Sequence, residues 1–262
     1  MEREESVVSV LYRLLLTPLS PFEYMARIVR NPSPMAPLFS AFLLISVQLV
    51  QAGTILGKTR LKLGEGTWLR NVTVSVGDHS VTIILANLSK TYPLRPPLET
   101  ASTAALIHSA AITLILWLSI TAGLYISMKL LGQGVGPPSS ITAGYVMMTS
   151  VYSELVRYAL LYSSLSGVSR VEIVAIRGAD YTVLLNAIRL VLSRLEPWST
   201  ANLFVMAFFS VWGFVVVLAA LTSAYNLEWK RAFMGAFITA ILQGMLTQLI
   251  TLLLTITVRL PV

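Results

Sequence analysis

Between Met35 and Arg259 the chain carries five apolar stretches, each long enough for a membrane crossing. A helix rises about 1.5 Å per residue and a hydrocarbon core is roughly 30 Å thick, so about 20 mostly apolar residues make one span. The stretches run approximately from 36 to 56, 104 to 131, 140 to 163, 201 to 224 and 232 to 257. The expectation is an all-α polytopic membrane protein with five transmembrane helices. Residues 1–34 form an amino-terminal part and 35–262 the membrane domain.

Composition agrees: 55% of the residues are apolar and only 12% charged, against about 25% charged in a soluble domain. The net charge of +7 sits outside the spans and not in one basic module, which favours lipid headgroups over nucleic acid as the partner. The absence of cysteine excludes disulfides, thiolate metal sites and a cysteine nucleophile. The two histidines, His79 and His108, lie in different segments and give little support to an imidazole metal site. The sequence contains no nucleotide-phosphate loop, metal triad or nucleophile elbow, so neither an enzyme nor a cofactor is expected. The Gly132-Gln133-Gly134-Val135-Gly136 run lacks the lysine of a phosphate loop.

The amino terminus is acidic, with no cleavage pattern after its first apolar run, and is expected to be retained. Val7 to Leu16 is too short to span and is interrupted by Arg13, which predicts a helix in the interface. Ser20-Pro21-Phe22-Glu23 predicts a helix start with a capping box. Phe22, Met25, Ile28 and Val29 then share one side and Glu23, Arg27 and Arg30 another. Asn31-Pro32-Ser33-Pro34 ends this second amphipathic helix. It reads as a membrane-entry elbow or, more sharply, as a docking surface for a cytosolic partner, with Phe22, Arg27 and Arg30 as the docking residues.

The loop from about 57 to 102 reads as β. Val72, Val74 and Val76 alternate with polar residues, Gly77-Asp78 supplies turn chemistry, and Val81, Ile83 and Leu85 resume the alternation. Arg60 to Leu63 is expected to add a strand across the Gly64-Glu65-Gly66 turn. In the loop from 164 to 200, Val171 to Ile176 has strand composition, and Asp180 is placed to cap a helix running to about Leu195. Its apolar stripe is Leu184, Ile188, Val191, Leu192 and Leu195. Two crossings separate these loops, so they are expected on one face as a small extramembrane α/β cap. Short basic segments at Arg27, Arg30, Lys129, Lys230 and Arg231 put the amino terminus inside and the carboxyl terminus outside. Asn71-Val72-Thr73 and Asn87-Leu88-Ser89 on the outer loop match the glycosylation acceptor pattern.

Polar residues inside spans are expensive and mark structure or function. Glu154 and Arg157 are three apart in the third span and can pair across one helical face, either as a structural lock, on a substrate or proton path, or as a gate. Thr239, Gln243, Thr247, Thr251 and Thr255 recur at four-residue intervals in the fifth span, a polar stripe that cements helices or lines a hydrated path. Small residues Ala220 and Ala224, and Ala236, Ala240 and Gly244, predict close packing of spans four and five. The short 132 to 139 link predicts a hairpin of spans two and three.

Pro18-Leu19-Ser20-Pro21-Phe22, then Arg27 to Pro32, the glycine-rich link into Ile141-Thr142-Ala143-Gly144-Tyr145, and Trp229-Lys230-Arg231-Ala232-Phe233 opening the last span resemble the Yip domain of Ypt/Rab-interacting five-span membrane proteins, in a prokaryotic-type form. The likeness covers about residues 14 to 257. It implies a non-enzymatic, multi-pass cell-membrane protein with a cytosolic amino terminus that organises membranes or recruits partners. The chain departs from the family in its long outer loops and in lacking an extended amino-terminal region, so GTPase binding is not carried over. The alternative is a small permease or transporter membrane subunit using the polar residues of spans three and five. Expected partners are the lipid bilayer and a membrane or cytosolic protein, with homo-oligomerisation left open.

Overall fold

The computed structural model describes residues 7–64, 71–76, 79–84, 97–132, 136–166, 171–176, 192, 193 and 195–257. The side chains of 56, 58–104, 171–176, 247 and 249–257 lie outside that description. Helices dominate. In chain order they are α1 (Val7–Leu16), α2 (Pro21–Arg30), α3 (Ala36–Lys58), α4 (Pro97–Leu131), α5 (Ser139–Ser166), α6 (Trp198–Ala219) and α7 (Trp229–Thr257), with α6 continuing into a π-helical turn at Ala220–Ala224. The strands are β1 (Thr59–Gly64), β2 (Asn71–Val76), β3 (His79–Ile84) and β4 (Val171–Ile176).

Among the described residues three helical segments are long and apolar enough to cross a membrane: Ala36–Ile55, Ala105–Leu131 and Trp198–Ala224. The protein is membrane-embedded on that ground. Among the described residues α5 and α7 do not reach the same standard of apolarity, and α5 carries Glu154 and Arg157.

By contact the chain divides into two units. One is Met1–Val47, Ser109–Leu155 and Met206–Val262, and the other is Gln48–His108 and Val156–Val205. In the first, α1 buries Val10, Arg13 and Leu14, and α2 buries Tyr24, Met25 and Ile28, residues at three- and four-residue spacing. Val10, Leu14, Met25 and Ile28 join a core with Leu44, Leu124, Met147, Met148 and Leu221. The apolar face expected for α2 is split, since Met25 and Ile28 enter the core while Phe22 and Val29 stay exposed. The capping box does not form. Ser20 makes no side-chain cap bond, and Glu23 pairs with Arg27 one turn on, an i,i+4 partner that competes for the same carboxylate.

Glycines set the closest approaches. A Cβ on Gly144 of α5 would lie 2.6 Å from the Pro37 nitrogen, and the Ser40 hydroxyl donates to the Gly144 carbonyl at 2.6 Å. A Cβ on Gly123 of α4 would lie 2.8 Å from Thr239 Cα, and one turn on Ser127 donates to the Gly235 carbonyl at 2.9 Å. Positions 123 and 127 thus face 239 and 235, so α4 and α7 run antiparallel. The small-residue seam differs from expectation. Ala220, Ala224 and Ala236 are buried, but Ala240 is exposed and Gly244 has nothing near it, because the helix turns that face outward beyond Thr239. The π turn brings Tyr225 N–H onto the Ala220 carbonyl and Leu227 N–H onto that of Leu221, with Asn226 left-handed at φ 52° between them. Asparagine tolerates that conformation better than most residues.

In the second unit the four strands form one sheet in the order β1-β4-β2-β3. β2 and β3 are antiparallel, from Asn71 opposite Ile84 to Val76 opposite His79. β4 lies between β1 and β2, parallel to β1 with Thr59 opposite Val171 and antiparallel to β2 with Thr73 opposite Val174. The expected placement of Arg60–Leu63 beside β2, across the glycine turn, is therefore corrected. A hairpin makes only antiparallel neighbours, whereas β1 takes a parallel one delivered by a long crossover. Most of the predicted helix from Asp180 lies outside the described residues. Leu192 and Leu195 pack on Leu161, Leu165 and Trp198.

Candidate functional site

The amino-terminal elbow is fixed from several directions. The last carbonyls of a helix have no intrahelical partner, and in a membrane protein each needs one. Thr17 donates to the Arg13 carbonyl at 2.7 Å, Tyr152 of α5 to the Leu15 carbonyl at 2.8 Å, and Trp212 Nε1 of α6 to the Pro18 carbonyl at 2.7 Å. Arg13 Nη1 donates to the Asn31 carbonyl at 2.7 Å, tying α1 to the end of α2. Arg13, the charge that interrupts the apolar run of α1, is turned inward, 9% exposed, where the carbonyl at the end of α2 offers its guanidinium a hydrogen bond.

The predicted docking residues stand at the outer edge of this elbow. Phe22 stacks on Trp229 at the start of α7, centroids 6.3 Å apart and planes 23° apart. Arg27 pairs with Glu23 and lies 5.0 Å over the Tyr24 ring, and Arg30 is exposed. Lys230 and Arg231 follow Trp229 on α7, both exposed, and Arg231 donates to the Leu131 carbonyl at the end of α4 at 3.4 Å. Lys129, also exposed, lies 5.7 Å over the Tyr125 ring. The ends of α4 and α7, the elbow and five cations are gathered at one end of this unit.

Near that end Tyr225 is buried and donates its hydroxyl to Thr142 Oγ1 at 2.9 Å. Burial pushes its phenol up to about 12, with the Thr142 contact pulling the other way.

Of the intramembrane polar residues, Glu154 is half-buried in the first unit. Arg157, in the second, donates from Nε to Asn202 Oδ1 at 2.8 Å and lies 5.8 Å over the Trp198 ring. Asn202 and Trp198 both belong to α6 and were not anticipated as partners. A signal was present in Asn202, a lone amide in an otherwise apolar stretch. At the head of α6 the Glu196 carboxylate accepts from Ser199 and Thr200, which hold it below the usual glutamate range, and Trp198 N–H donates to Ser164 Oγ at 3.0 Å.

The first member of the α7 stripe is sealed. Thr239 is 0% exposed, sits against Gly123, and returns its hydroxyl to the Gly235 carbonyl at 2.9 Å. Gln243 is half-buried, and the side chains of Thr247, Thr251 and Thr255 lie outside the described residues. No three metal-ligating side chains cluster among the described residues. Comparison with protein families, curated proteins and solved structures gives no match for this chain.

Proposed function

We propose that this is a non-enzymatic, five-span membrane protein of the Yip type, acting as a membrane-organising or partner-recruiting scaffold from its amino-terminal end. The observation that carries the reading is the built-in elbow: three side chains from α1, α5 and α6 bind the carbonyls of Leu15, Pro18 and Asn31, while Phe22, Arg27 and Arg30 remain outside. A surface held that rigidly costs little further entropy when it is engaged.

The five-span count draws support from chain path. α4 is long and apolar enough to cross, and β4 joins the sheet that β1, β2 and β3 make before α4 begins. A return crossing through α5 would account for this path. α7 runs antiparallel to α4 through the Gly123–Thr239 and Ser127–Gly235 contacts, and its 29 residues reach about 43 Å. On this reading the sheet belongs to the extramembrane α/β cap.

The Arg157–Asn202 bond and the sealed Thr239 favour packing roles for these polar groups. A small permease is the second reading. It rests on Thr113, Thr121 and Thr149, whose hydroxyls are buried with no hydrogen-bond partner among the described residues. Cross-linking in native membranes followed by mass spectrometry separates the two. The scaffold reading expects a discrete partner that is lost in Phe22→Ala/Arg27→Gln/Arg30→Gln, a variant of exposed residues that leaves the fold intact. No partner, together with solute uptake into proteoliposomes that Thr149→Val abolishes, supports the permease.

A further inference from the structure

We propose that α1 is a wedge inserted in one leaflet of the bilayer and that the cationic end beside it binds anionic phospholipid headgroups. This rests on the chain being membrane-embedded and deepens the scaffold reading by naming the lipid it organises.

α1 is largely apolar on both sides. Its inner side, with Val10 and Leu14, is in the core, and its outer side presents Val7, Val8, Tyr12 and Leu15 beside one small polar residue, Ser9, with Val8 74% exposed. The single charge of the helix, Arg13, has its guanidinium turned away from that outer side onto the Asn31 carbonyl. A water-facing helix of this length would carry polar residues outward, whereas hydrocarbon demands the pattern seen here. Hydrocarbon also forbids unsatisfied backbone groups, and the carbonyls of Arg13, Leu15 and Pro18 at the end of α1 are each bonded to a side chain. At ten residues α1 is about 15 Å long, half a hydrocarbon core, so it occupies one leaflet only.

Charge complementarity identifies the lipid. Arg27, Arg30, Lys129, Lys230 and Arg231 are exposed at the ends of α2, α4 and α7, and the carboxylates paired with them among the described residues are Glu23 and Glu228. The stack of Phe22 on Trp229 joins the α2 and α7 parts of this set, and an exposed Trp at a helix start is the usual marker of headgroup depth. Each basic residue near an anionic surface strengthens binding about fivefold.

The test uses the full chain in nanodiscs. A bimane on Val8→Cys, the one thiol in the chain, is expected to be quenched by phosphatidylcholine brominated in its acyl chains and untouched by aqueous iodide. Titrating phosphatidylglycerol into phosphatidylcholine nanodiscs is expected to raise the thermal midpoint of the wild type. Arg30→Gln/Lys230→Gln should lose most of that rise, shifting the half-effect concentration upward by at least fivefold, while matching the wild type in pure phosphatidylcholine. Iodide quenching at position 8 overturns the wedge, as does protection from both quenchers, which would mean a protein covers the face. An unchanged phosphatidylglycerol response in the double variant overturns the headgroup site. Either failure leaves the partner test of the scaffold reading standing.

Discussion

Replacing Gly144 by alanine tests how closely α3 and α5 approach. The new Cβ would lie 2.6 Å from Pro37 N, 2.7 Å from Pro37 Cα and 2.9 Å from the Ala36 carbonyl carbon. Ordinary carbon contacts are near 3.5 to 4.0 Å, so the two backbones must part by about 1 Å. Backbone cannot swing aside as a side-chain tip can. Overpacking of this kind costs about 1 to 3 kcal/mol, and stretching the Ser40–Gly144 bond adds about 1 kcal/mol. Better helix propensity returns about 1 kcal/mol, leaving a net loss of about 1 to 3 kcal/mol. The control is Gly53→Ala on α3, where a Cβ meets nothing within 4 Å, and which should be neutral or slightly stabilising. Unfolding in mixed micelles titrated with sodium dodecyl sulfate, followed by tryptophan fluorescence, measures both. Equal midpoints for the two variants would refute the close α3–α5 contact.

Arg157→Met should lower stability by about 1.5 to 3 kcal/mol by stripping Asn202 of its charged donor, and Arg157→Met/Asn202→Leu should recover part of that loss in the same assay. Glu154→Gln or Arg157→Met alone should also cost more than the two together if the residues form a structural pair, which the same titration reads out. Tyr225→Phe should cost about 1 kcal/mol at neutral pH through the Thr142 bond. Because the folded phenol titrates at about 12, above its ordinary value of about 10, the wild type keeps this contribution up to about pH 10 and loses it as pH rises toward 12. The gap between wild type and Tyr225→Phe should shrink over that window, because burial disfavours the phenolate; a constant gap counts against the burial of the phenol.

Hydropathy made the three most apolar helices legible, since nothing competes with a run of twenty apolar residues. Alternation did the same for β2, β3 and β4, whose bounds follow the valine and isoleucine pattern. Strand order was not legible, because β4 enters between β1 and β2 from a segment about a hundred residues away, and local periodicity holds no information on such pairing. At the candidate site, amphipathicity picked out Phe22, Arg27 and Arg30 as outward-facing, and they are exposed, but the inward turn of Arg13 was not legible. Its partner is a backbone carbonyl at Asn31, and a carbonyl leaves no mark in a sequence. Glycines 123 and 144 were missed as packing points for a similar reason. A glycine reads as close contact only once the opposing backbone is known, and the four-residue rule drew attention to Ala240 and Gly244 instead.

Thiol labelling tests the membrane topology most directly, in a chain with no cysteine of its own. Single substitutions Asp78→Cys, Glu172→Cys, Arg30→Cys and Glu228→Cys are labelled in intact cells with an impermeant maleimide. The five-span account predicts that positions 78 and 172 react together while 30 and 228 react only after permeabilisation. Reaction of 78 and 172 from opposite sides, or of 30 and 228 alongside them, would contradict it.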